Sequence, residues 1–81
     1  MAAESKADVT LSSDTWTLVS ANKCIIQSNG GSCRVAFGAE PTVKDYGLRL
    51  QADKYLSNNE AGNCYAIAED GMNVYLSLVE Y

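Results

Sequence analysis

Cys64-Tyr65-Ala66-Ile67-Ala68-Glu69-Asp70-Gly71-Met72-Asn73-Val74-Tyr75-Leu76-Ser77-Leu78-Val79 decides how the rest of the chain is read. Two apolar runs flank Glu69-Asp70-Gly71, and Asp-Gly is a dipeptide suited to the positive φ of a tight primed turn, so a β-hairpin is expected here. On the return run Val74, Leu76 and Leu78 alternate with Tyr75, Ser77, Val79 and Tyr81, the period-two pattern of a strand with one buried face.

Working back, Cys33-Arg34-Val35-Ala36-Phe37 follows Lys23-Cys24-Ile25-Ile26-Gln27 across Ser28-Asn29-Gly30-Gly31-Ser32. The Asn-Gly-Gly cluster gives a second expected hairpin for the same reason. Trp16-Thr17-Leu18-Val19-Ser20 reads as a strand, with Trp16 taken as a core residue. Leu48-Arg49-Leu50 and Asp53-Lys54-Tyr55-Leu56 are shorter elements. Residues 39–47, with the sole proline Pro41, form a loop, and 57–63 a turn. Helical periodicity is not sustained beyond one turn. The expectation is an all-β fold, a small antiparallel β-sandwich or barrel of six or seven short strands. Residues 15–81 are its single domain, and 1–14 an extended, flexible N-terminal arm that gains order against a neighbour.

Eighty-one residues hold one domain. So short a chain buries only about 60–65% of its extended surface, so self-association would add apolar burial that the monomer lacks. Six basic residues against ten acidic ones give net charge −4. Lys6, Lys23, Arg34, Lys44, Arg49 and Lys54 are scattered singly, without the patch that phosphate backbones or anionic membranes require, so neither nucleic acid nor membrane is expected as a partner.

Chemistry is hard to place on this sequence. There is no histidine, so the usual base for a Ser or Cys nucleophile is missing, and the expectation is a protein that is not an enzyme. Glu69-Asp70 occupies a turn, and Gly30-Gly31 joins two strands rather than a strand and a helix as a phosphate-binding loop would. The three cysteines, Cys24, Cys33 and Cys64, contain no CxxC pair, so no metal or other cofactor is expected. They read as reduced thiols serving as small hydrophobes, with a Cys24–Cys33 bridge as the alternative. Contact residues are sought among the tyrosines and the arm: Val9, Leu11, Tyr46, Tyr55, Tyr75, Val79 and Tyr81, since tyrosine offers rigid area with a polar tip.

The strings Trp16-Thr17-Leu18-Val19, Cys24-Ile25-Ile26-Gln27 and Arg34-Val35-Ala36-Phe37-Gly38-Ala39, followed by Pro41, resemble a loose pattern in small tailed-phage virion proteins. In these a WTLV strand and an IxQ strand precede an R[VI]AFG strand, a proline-containing loop, a leucine-rich strand and a C-terminal hairpin. The likeness covers roughly residues 15–81. It implies a bacteriophage structural protein that decorates or stabilises a capsid or forms part of a fibre. Its implied partners are its own copies, a homotrimer being favoured, and a capsid or other virion protein. Such a protein would be made in the host cytoplasm and reside in the virion. The alternatives are a receptor- or glycan-binding module, using exposed Tyr and Asn side chains of the 39–47 and 57–63 loops, and a small acidic inhibitor of a host enzyme.

Overall fold

The computed structural model describes residues 4–59, 62–69 and 71–81. It is all-β, with eight short strands and no helix among the described residues: β1 (Glu4–Thr10), β2 (Thr17–Ser20), β3 (Cys24–Asn29), β4 (Cys33–Phe37), β5 (Leu48–Leu50), β6 (Tyr55–Asn58), β7 (Cys64–Ala68) and β8 (Tyr75–Glu80). They form two four-stranded antiparallel sheets, in the orders β1-β8-β3-β6 and β2-β7-β4-β5. The sheets do not close into a barrel, which removes one of the two expected architectures. We call the first sheet A and the second sheet B.

Both expected hairpins are overturned. β3 pairs with β8 and β6, while β4 pairs with β7 and β5, so the Asn29–Ser32 segment carries the chain from sheet A to sheet B. Likewise β7 lies in sheet B and β8 in sheet A, so the Glu69–Gly71 segment also crosses between sheets; Asp70 itself lies outside the described residues. The reason is visible in the register. Cys24 to Asn29 runs antiparallel to Glu80 to Tyr75, and Cys33 to Phe37 continues antiparallel to Ala68 to Cys64.

The chain therefore makes one long two-stranded ribbon, 24–37 against 64–80, folded over at its middle. Residues 4–20 flank it on one side and 48–58 on the other, each again giving one segment to each sheet. This is the strand order of an eight-stranded jelly roll. The glycines serve the corner rather than a primed turn. Gly30 has φ +83°, and a Cβ there would collide with the Asn73 carbonyl, because the two bends lie against each other. Ser28 Oγ, fully buried, donates to the Gly31 carbonyl at 2.6 Å and fixes the bend.

Alternation does the rest. β3 reads buried, exposed, buried, exposed, buried, and β8 follows the same period. Ile26, Leu76 and Leu78 from sheet A meet Val19, Val35, Leu50 and Ala66 from sheet B in one core, with Val74 from just before β8. Each large aliphatic side chain so buried stabilises the fold by about 1.5–3 kcal/mol relative to exposure.

The stretch expected as an arm is placed partly in this framework. Glu4–Thr10 pairs with β8 as β1, Val9 packs on the core, and Leu11 is buried with its N–H donating to the Val74 carbonyl at 2.9 Å. Across the sandwich margin, Ser20 of sheet B donates to the Glu80 carboxylate of sheet A at 2.5 Å, and Asn22 Nδ2 adds a second bond at 3.2 Å.

Candidate functional site

The two outward faces are the surfaces available for recognition, and they are built differently. On sheet A the outward side chains of β8, β3 and β6 follow from the pairing. Val79, Ile25 and Ser57 form one row, Ser77, Gln27 and Tyr55 the next, and Tyr75 with Asn29 a third. None of the eight is charged. β1 adds Ser5 beside Val79 and Thr10 beside Tyr75, with Asp8 at its bulge.

Tyr55 is 72% exposed, Tyr75 44% and Ile25 37%. Asn29 Nδ2 donates to Ser77 Oγ at 2.9 Å, which holds two of the polar side chains to each other. The β8–β3–β6 part of this face, uncharged and made of tyrosine, aliphatic and small polar side chains, has the composition of a protein contact, where charges are depleted and aromatics enriched.

Sheet B turns outward Leu18, Tyr65, Ala36, Ile67, Arg34 and Arg49. Here the long β4–β5 connection, residues 38–47, folds back across the strands as a strap. Trp16 Nε1–H donates to the Val43 carbonyl at 3.0 Å, Arg34 pairs with Asp45 at 2.9 Å, and Lys44 lies 3.8 Å from Asp14. Under and beside it Ile67 is only 2% exposed and Ala36 only 3%, although both point away from the core. Gly47 ends the strap with φ +79°, where a Cβ would strike the Val35 carbonyl. Trp16, expected in the core, therefore lies outside sheet B and anchors the strap instead.

The expected contact residues thus divide. Tyr55, Tyr75 and Val79 share the outward face of sheet A, with Val79 half-buried. Tyr81 is half-buried beyond β8, its hydroxyl donating to Asn59 Oδ1. Tyr46 is 55% exposed on the strap, away from that group. Val9 and Leu11 face the core. Sequence reasoning missed Ile25 and Gln27 as contact candidates; the signal was the alternation of β3, which puts them beside Val79 once β3 is known to pair with β8.

The cysteines are all buried free thiols in the core cluster. Burial pushes the Cys64 thiol up to about 12, with the neighbouring Cys24 thiol adding to the effect. Burial also raises Cys24 and Cys33. Thiols so held stay protonated at neutral pH and pack as small hydrophobes. Two carboxylates shift the other way. A hydrogen bond from Arg49 holds Glu69 below the ordinary glutamate value, and the Ser20 and Asn22 donors do the same for Glu80.

Among the described residues no group of three or more His, Cys, Asp or Glu side chains is arranged to hold a metal ion. Comparison with family models, curated proteins and solved structures finds no match.

Proposed function

We propose that this chain is a structural protein of a phage virion, an oligomeric β domain that decorates or stabilises the capsid or forms part of a fibre. The observation that carries the reading is the outward face of sheet A. On a chain of net charge −4, copies or acidic partners repel wherever carboxylates meet. The Val79–Ile25 face, with Tyr55 and Tyr75 beside it, offers contact without that repulsion.

Two further considerations support the reading. The Trp16–Pro41 strings resemble small tailed-phage virion proteins, and the double-sheet strand order is one that viral capsid domains use. Lectin domains share that order, so topology alone does not choose a function. A trimer is the favoured assembly. Its contacts would be heterologous, the sheet A face of one copy meeting a different surface of the next.

Quantitative mass spectrometry of purified particles tests the assignment. The reading expects this chain as a stoichiometric component at a copy number set by capsid or fibre symmetry; its absence from intact particles would overturn the assignment.

A further inference from the structure

We propose that the groove between Trp16 and the strap is a carbohydrate subsite, shaped for a neutral hexopyranose ring. The groove is an open one of about 390 Å³, lined by Trp16, Pro41, Asp14, Glu40, Thr42 and Lys44, among others. That volume is within the roughly 300–1,000 Å³ of small-molecule sites.

Its chemistry is that of sugar recognition. The electron-rich face of an indole attracts the weakly positive C–H edge of a pyranose, and Trp16 is half-buried outside the core cluster while lining the groove. Pro41, also half-buried, adds an apolar wall. Sugar hydroxyls need acceptors that can take two donors, and the Asp14 and Glu40 carboxylates provide them. Thr15 and Thr42 can both donate and accept.

Charge selects the class of sugar. Asp14 has Lys44 as its ion partner at 3.8 Å, whereas Glu40 has none among the described residues. With Lys44 also in the lining, two carboxylates stand against one ammonium, so the groove is net acidic by one charge and disfavours uronates and other anionic sugars. One wall is tied to the other by the Trp16 Nε1–H to Val43 carbonyl bond at 3.0 Å, while the exposed Lys44–Asp14 pair adds little. This subsite makes no use of the sheet A face, since it lies on the opposite sheet.

Trp16 is the sole tryptophan, so its fluorescence reports on this groove alone. The test titrates the full chain with neutral methyl hexopyranosides (gluco, galacto, manno and N-acetylglucosamine forms) and with methyl glucuronide. Saturation-transfer NMR runs alongside. At least one neutral glycoside should give a saturable change in Trp16 emission with a dissociation constant in the range of about 1–10 mM. Glucuronide should bind at least about 10-fold more weakly, and Glu40→Ala should weaken the neutral sugar by about 10–100-fold, the loss expected for a hydrogen bond to a charged group. Glu40 is exposed on the strap, so this substitution leaves the core untouched. No saturable change with any neutral glycoside at about 50 mM, well above that range, would overturn the proposal. So would equal affinity for glucuronide, or unchanged affinity in Glu40→Ala.

Discussion

Ile25 and Ile67 occupy equivalent places, each pointing outward from a central strand of its sheet, yet one is 37% exposed and the other 2%. Strand alternation cannot distinguish them. The difference comes from a connection: the 38–47 segment is long enough to fold across sheet B and carries the groups that tie it down, whereas among the described residues no loop covers the rows of Val79, Ile25 and Tyr55 on sheet A. An outward isoleucine is thus a second-layer core residue on one side of this molecule and solvent-exposed on the other.

Truncating the two isoleucines should separate the faces most sharply. Ile67→Ala should cost about 2–4 kcal/mol, as in a packed interior, and Ile25→Ala less than about 1 kcal/mol. Denaturant midpoints measure both, and equal costs would show that the strap does not pack on sheet B. Next in size, Gly47→Ala should destabilise by about 1–3 kcal/mol, because it adds a positive-φ penalty to a backbone collision. Gly38→Ala, also at positive φ but facing open space, should cost less; thermal unfolding of the pair decides whether the end of the strap is as tightly seated as its geometry implies.

Acid offers a further way to part the faces. Glu69 and Glu80 titrate below the ordinary glutamate value of 4.5 because their ionised forms are hydrogen-bonded in the fold. Their stabilisation is complete above that value and is lost as pH falls through their lowered folded values. Melting temperature should drop through this window, and the drop should be shallower in Glu80→Gln. The eight outward positions of β8, β3 and β6 carry no acid or base and the chain has no histidine, so self-association through them should stay constant between about pH 5 and 8 whichever surface they meet. The smallest effect should come from Asp45→Asn, which removes an exposed ion pair and should change stability by less than about 1 kcal/mol.

Much of the local structure was legible because it is local. Cys33–Phe37 and Cys64–Ala68 are strands whose bounds follow from apolar runs with β-branched and aromatic residues, and Leu48–Leu50 one that follows from apolar alternation. The two hairpins were misread because Asn29-Gly30-Gly31 and Gly71 satisfy the local requirements of a tight turn while the pairing is decided by partners about 40 residues away. A bend from one sheet into another and a primed turn ask for the same residues, and only the long-range register tells them apart. The same limit applied to the candidate sites. Tyr55 and Tyr75 were chosen by residue type. Ile25 could be joined to them only through the β3–β8 and β3–β6 registers, and the capture of Trp16 by the strap depends on a hydrogen bond spanning 27 positions.

The central claim is that sheet A is bare because it is a contact surface. Light scattering coupled to size-exclusion chromatography, on wild type and on the Ile25→Lys/Val79→Lys double variant, tests it most directly. Wild type should elute as an oligomer, with the mass of three chains favoured. The double variant should elute as a folded monomer with an unchanged circular dichroism spectrum, because charge has been placed where the copies meet. A wild type that stays monomeric at micromolar concentration, or a variant that assembles as before, would contradict the account.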